Sequence, residues 1–192
     1  MDAKQRLREE ARDRREREPG RPAKSLAIQR RVEGLQEYRV APVVASYVGI
    51  GSEVETRGLL EGRLARQAPT AVVYRDGPTL GICLIRSLDE LELGSFDLWE
   101  PRQDLRLDPA RQCSPGAVDL FLVPGLAFDL RGGRIGYGRG YYDSLLGNAG
   151  PNSTFLGLAF ESQIVDRVPM TARDIPVHMI LTELADHRAS SG

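Results

Sequence analysis

The chain has 192 residues, with 26 lysines and arginines against 27 aspartates and glutamates and a formal net charge of −1. That length supports one sizeable core, read as a single domain over residues 1–192, and the balanced charge excludes a global electrostatic footprint for nucleic acid or an anionic membrane. No apolar run is long enough to cross a bilayer, and the charged opening MDAKQRLREEARDRRERE lacks the apolar centre of a secretory signal, so a cytoplasmic protein is expected.

Residues 3–17 carry apolar side chains only at Ala3, Leu7 and Ala11, spaced i, i+4, i+8. This predicts a mostly solvated helix laid against the domain by one narrow stripe. The segment EPGRP at 18–22 breaks it, and Ser25 to Tyr38 reads as a second amphipathic helix with Leu26, Ile28, Val32 and Leu35 inward. After Pro42, VVASYVGI has the composition of a strand buried on both faces, ending at Gly51. Ser52 is a candidate N-cap, with Glu53 and Glu55 in the first turn of a helix over 53–67 that turns Leu59, Leu60 and Leu64 inward.

TAVVYR and TLGICLI follow as two strands joined by the turn Asp76-Gly77-Pro78, and 87–116 reads as irregular. VDLFLVP is the clearest strand; a helix opens at Tyr141 to Leu146, and STFLGLAF and HMILTE close the chain as further strands. Strands alternating with helices predict a single-domain α/β fold, a mostly parallel sheet flanked by helices on both faces, with ligands at the carboxyl ends of the strands. Cys83 and Cys113 have no CxxC partner, and His178 and His187 are too few for zinc, so reduced thiols and no structural zinc are expected.

The segment 132–142 is GGRIGYGRGYY, with glycine at 132, 133, 136, 138 and 140. Glycines at alternate positions let backbone N–H groups come close to a ligand, and such donors ahead of a helix form an anion site. Arg134 and Arg139 supply charge for phosphate oxygens, and Asp143 is a candidate Mg²⁺ ligand. The spacing is not the Walker pattern, which ends in Gly-Lys-Ser or Gly-Lys-Thr, nor a dinucleotide fingerprint. By itself it is also compatible with a tight surface turn.

The order PGLAFD (124–129) then GGRIGYGRGYYD (132–143) resembles the signature of the 5-formyltetrahydrofolate cyclo-ligase family. Further marks stand in the family's order: Lys4-Gln-Arg-Leu-Arg8, Ser52-Glu-Val-Glu-Thr56, Glu100-Pro101, LGLAFESQ (156–163), Val168-Pro169 and Asp174. The resemblance implies ATP- and Mg²⁺-dependent conversion of 5-formyltetrahydrofolate to 5,10-methenyltetrahydrofolate. ATP phosphorylates the formyl oxygen, nitrogen 10 attacks the activated carbon, and phosphate leaves as the ring closes. Such chemistry asks for positioning and charge neutralisation rather than a covalent nucleophile.

By matched position, the resemblance has Lys4 and Arg8 reach the nucleotide. Arg134, Gly136, Tyr137, Gly138, Arg139, Gly140, Tyr141 and Tyr142 hold ATP, with Arg134 and Arg139 catalytic. Asp143 binds Mg²⁺. Glu53, Phe96, Trp99 and Tyr142 are the folate-side residues. The expected partners are these two small molecules, with no nucleic acid or membrane, acting as a monomer or weak homodimer.

Plainer roles compete: Lys4 and Arg8 as solvated charges, Glu53 as a first-turn carboxylate, Tyr141 or Tyr142 as core packing, Gln163 as a backbone cap. Two departures, Tyr74-Arg75 where relatives carry Pro-Arg and His178 where an acid is common, bear on substrate-side geometry. Two other readings are a sugar-phosphate isomerase or CoA-transferase-like enzyme of related architecture, and a non-catalytic nucleotide- or folate-binding relative.

Overall fold

Apolar and β-branched runs need backbone partners once buried, and here they supply the inner strands of one seven-stranded sheet. The computed structural model describes residues 2–94 and 98–189. In chain order these residues form α1 (Ala3–Glu16), α2 (Arg21–Gly34), α3 (Gln36–Val40), β1 (Val44–Ser46), α4 (Arg57–Ala65), β2 (Thr70–Asp76) and β3 (Thr79–Ile85). There follow β4 (Leu91–Leu93), β5 (Trp99–Pro101), α5 (Gln103–Leu107), β6 (Leu120–Val123), β7 (Ala127–Phe128) and β8 (Arg134–Ile135). The chain closes with α6 (Tyr141–Leu146), β9 (Thr154–Leu158), β10 (Met179–Leu181) and β11 (Asp186–Arg188).

The sheet order is β11-β10-β9-β6-β1-β2-β3. The five inner strands run parallel, and β3 and β11 pair antiparallel at the two edges. Alternation along β6 divides the core. Leu120 and Leu122 pack with Ile28, Val32, Tyr38 and Leu59 of α2, α3 and α4 on one face. Phe121 and Val123 pack with Leu145 and Leu146 of α6 on the other, where Phe128 also lies. Helices on both faces of a mostly parallel sheet are the architecture expected from the sequence.

Several elements differ from expectation. The helix expected over 53–67 is α4, starting only at Arg57, because residues 51–56 are held to the end of β1. The Thr56 hydroxyl donates to Tyr47 O at 2.6 Å and accepts from Gly49 N, and the Tyr47 hydroxyl donates to Val54 O at 3.1 Å. Ser52 is therefore no N-cap, and Glu53 lies outside the helix. Helix α2 starts at Arg21 rather than Ser25, with Pro22 in its first turn, where its missing N–H costs nothing. Its buried stripe is Ser25, Ile28 and Val32, and Leu26 stands 48 % exposed instead of facing inward.

The region 87–116 is less irregular than expected, holding the β4–β5 hairpin and α5. The unexpected β11 is turned back onto β10 by Thr182, whose hydroxyl accepts from Leu184 N and Ala185 N. His178, expected to bear on the substrate, lies on the sheet, its ring stacked on Phe155 at 4.7 Å and its Nδ1 accepting from Phe155 N at 2.9 Å. Cys83 and Cys113 are free thiols.

Two outcomes follow from this packing. Phe128 closes directly over Gly157, where an added Cβ would lie 2.7 Å from its ring. Overpacking of this kind costs about 1–3 kcal/mol, so Gly157→Ala is expected to lower the urea midpoint accordingly. The Nδ1 acceptor role of His178 requires a neutral imidazole, and burial holds this group below its ordinary value of 6.5. Its share of stability is complete above 6.5 and is lost as pH falls from there to the group's lower folded-state value, because the unfolded chain takes up the proton first. His178→Asn keeps an acceptor without the titration, and its thermal stability should fall less than the parent's over that interval.

Candidate active site

The chain leaves β1 toward β2 on one side, whereas β6 lies on the other side of β1 and leads away to β9 and β10. The carboxyl ends of β1 and β6 therefore diverge, which is where open α/β sheets bind ligands. A cleft of ≈ 1080 Å³ opens there, lined by Val48 and Ile50 beyond β1 and by Pro124 and Gly125 beyond β6. This volume lies at the upper end for small-molecule sites and has room for two ligands side by side.

All the described residues expected at the site line this one cleft: Lys4, Arg8, Glu53, Trp99, Arg134 and the segment 136–143. Phe96 lies outside the described residues. Helix α1 reaches the cleft because Leu7 and Ala11 pack on Leu126, Ala127 and Ile135 of the β7–β8 hairpin. From that helix Arg8 Nε donates to Gly136 O at 3.1 Å. The approach needs Gly138, whose φ is +93° and where a Cβ would stand 3.1 Å from the guanidinium carbon of Arg8. Lys4 Nζ is held by Asp174 at 2.5 Å. Burial pushes the Asp174 carboxyl up, but Lys4 and Thr171 outweigh it and hold this acid below its ordinary value.

The glycine loop sits between β8 and α6 and is half-buried or exposed from 136 to 140. Helix α6 has only six residues, so the loop, more than a long helix dipole, presents the anion-facing groups. Arg139 is exposed and makes no hydrogen bond or ion pair among the described residues. Arg134 differs: it is buried, its Nη2 donates to Asp143 Oδ1 at 3.0 Å, and its Nε has no partner among the described residues. The same Oδ1 accepts from Ile175 N at 3.1 Å. Of the paired tyrosines, Tyr142 packs against the core while lining the cleft.

Beside the loop the cleft turns aromatic and apolar, with Tyr47, Val73, Tyr74, Leu80 and Trp99. Arg57 lies 5.0 Å above the Trp99 ring. The Tyr74-Arg75 departure thus borders the cleft, unlike that at His178. Glu53 is set among these groups, and burial raises its carboxyl above the ordinary value, opposed by Arg15 and by the Ile50 N–H. Burial also pushes the phenols of Tyr47 and Tyr142 up, so both remain protonated donors at neutral pH. Gln163 does not reach the cleft; its amide donates to Gly125 O and Leu126 O and accepts from Phe160 N, a backbone role throughout.

Three further residues line or support the cleft beyond those the sequence singles out. Tyr47 is hidden in an apolar strand. Arg173 lines the cleft next to Asp174, with nothing in its local composition to single it out. Arg15 is 3 % exposed, and its signal was legible: it continues the 3, 7, 11 stripe by one more step of four.

With this geometry, similarity to known proteins is extensive. The family model described as the 5-formyltetrahydrofolate cyclo-ligase family matches residues 1–183. The chain is 27 % identical over 167 residues to the 5-formyltetrahydrofolate cyclo-ligase of Mus musculus, covering 83 % of this chain and 82 % of that protein. It is 29 % identical over 144 residues to that of Mycolicibacterium smegmatis, covering 72 % of each. The NMR structure of Aquifex aeolicus 5,10-methenyltetrahydrofolate synthetase superposes with a TM-score of 0.84 at 29 % identity, over 100 % of this chain and 95 % of that one. By a match spanning nearly its whole length, the chain belongs to the 5-formyltetrahydrofolate cyclo-ligase family and is an enzyme of the ligase class.

Proposed function

We propose that the chain converts 5-formyltetrahydrofolate to 5,10-methenyltetrahydrofolate while ATP is cleaved to ADP and phosphate. The observation that carries this reading is one cleft joining a glycine loop and the cations Lys4, Arg8, Arg139 and Arg173 to a buried carboxylate among aromatic side chains. Arg8 braces the loop, and Arg139 with Arg173 faces the nucleotide phosphates. Lys4, shared with Asp174, adds a further charge at the cleft. These groups neutralise charge developing on the transferring phosphoryl group, the main task in this chemistry. Arg134 holds Asp143 in place beside the loop.

Among the described residues no three His, Cys, Asp or Glu side chains cluster as a metal site. Magnesium arriving on nucleotide phosphates asks for only one or two carboxylates, and Asp143 meets that demand. When bound, Mg²⁺ would supply charge neutralisation to the nucleotide phosphates, held by Asp143. On the folate side, Glu53 accepts hydrogen bonds from the pterin edge, Tyr142 donates one, and Trp99 offers a flat apolar surface. Walls this apolar keep water from the activated formyl carbon until nitrogen 10 closes the ring. Two free thiols suit a reducing compartment, and we place the reaction in the cytoplasm.

Purified protein with Mg²⁺-ATP and 5-formyltetrahydrofolate is expected to develop the absorbance of the methenyl product, dependent on ATP. Nucleotide binding without product would leave only the non-catalytic reading, and turnover without ATP would point to isomerase-type chemistry. Arg139→Ala is expected to lower kcat/KM for ATP about tenfold or more, because a charge-assisted contact is worth about 1.5–3 kcal/mol. Steady-state kinetics at varied ATP checks this, and an unchanged value would place Arg139 in solvent.

A further inference from the structure

Helix α1 is rich in arginine, and most of its guanidinium groups lie in water; Arg15 does not. A guanidinium withdrawn from solvent is costly unless its donors are met, and those of Arg15 are met by separate parts of the chain. Its Nε donates to Ser52 Oγ at 3.0 Å, Nη1 to Gly125 O at 3.1 Å, and Nη2 to the Tyr137 hydroxyl at 2.5 Å. One planar fork therefore clasps the segment after β1, the segment after β6 and the glycine loop.

The remaining interaction is electrostatic. Arg15 Nη1 stands 3.8 Å from Glu53 Oε1, and Ser52, which it also holds, is the residue before Glu53. The groups around Glu53 are Arg15 from α1, Tyr47 from the end of β1, Tyr142 from α6 and the Ile50 N–H. Both phenols are neutral, so among these groups it is Arg15 that brings positive charge to this buried carboxylate. Lysine could supply charge but not three directed bonds from one plane.

We propose that Arg15 is a positioning residue that fixes the Glu53 carboxylate in the cleft and fastens it to the glycine loop through Tyr137. The proposal rests on the reading of Glu53 as the folate contact. It differs from a purely structural anchor in one respect: its effect on catalysis must pass through Glu53.

The test is the pH dependence of kcat/KM for 5-formyltetrahydrofolate in Arg15→Met, Arg15→Lys, Glu53→Gln and the Arg15→Met/Glu53→Gln pair. Arg15→Met is expected to lower kcat/KM about tenfold near neutral pH and to move the acid limb upward by about one to three pH units, the range for losing an opposite charge at this separation. Arg15→Lys should return most of the limb. In the Glu53→Gln background the Arg15→Met replacement should cause little further loss, the non-additivity expected of residues acting as one unit. Equal losses in both backgrounds with an unmoved limb would overturn the proposal and leave Arg15 as an anchor of α1. If Arg15→Met does not fold by circular dichroism, Arg15→Lys takes its place in the cycle. A several-fold loss confined to the Glu53 background then supports the proposal, and equal loss in both overturns it. Absence of product from the parent enzyme defeats the substrate reading itself, whereas parent turnover with indifferent Arg15 variants defeats only the positioning role.

Discussion

Parallel strands can be joined only by crossovers, and a sheet extended in both directions from its middle must part its loops somewhere. Here the parting lies between β1 and β6. Chain leaving β1 is drawn toward α4 and β2, and chain leaving β6 is drawn toward the β7–β8 hairpin. Space opens at their carboxyl ends that neither side can fill. The glycine loop, the α1 helix and the β5 segment are arranged as walls around that space. The core beneath is divided by simple alternation, so a rigid floor supports walls made mostly of loop.

Those walls are held in part by polar side chains that tie the backbone beneath them. Asp129 illustrates this: it accepts from Arg131 N, Gly133 N and Val168 N, and thereby shapes the hairpin that precedes the glycine loop. Gln163 performs the same service for the turn after β6. Neither touches the cleft, yet both belong to motifs that resemble the family's signature. Part of such a signature is therefore the chemistry of holding a backbone still, and only part is the chemistry of the reaction.

The strands β1, β2, β3, β6, β9 and β10 and the helix beginning at Tyr141 are legible because their signals are local: apolar runs, alternation and glycine boundaries; the short β4, β5, β7, β8 and β11 are not. The assembly of Lys4, Glu53, Trp99 and the segment 136–143 around one cleft was legible only through resemblance, since no local pattern says that residues 4 and 139 meet. Failures have a common cause in tertiary contacts that outbid local preference. Ser52 and Glu53 look like a helix start, but Thr56 and Tyr47 bind that segment to the strand end and delay the helix to Arg57. Leu26 is expected inward for its apolar side chain, but it stands two residues, about 200° of helix rotation, from Ile28 and so faces away from the buried Ser25, Ile28 and Val32. His178 departs from the family pattern in a way that bears on substrate-side geometry, but its imidazole serves the backbone of Phe155.

The two antiparallel edge strands also govern how the molecule meets its own kind. Along the outer side of β3, Leu84 N donates to Arg111 O and Cys113 N donates to Ile82 O, so a passing length of chain already occupies the positions another sheet would need. The opposite edge, β11, is three residues long and consists of Asp186, His187 and Arg188. A short, charged border and a covered one are both poor templates for strand addition. Encounters between copies at high concentration are thereby steered away from edge-to-edge polymerisation, leaving the protein's apolar strands protected by topology as well as by burial.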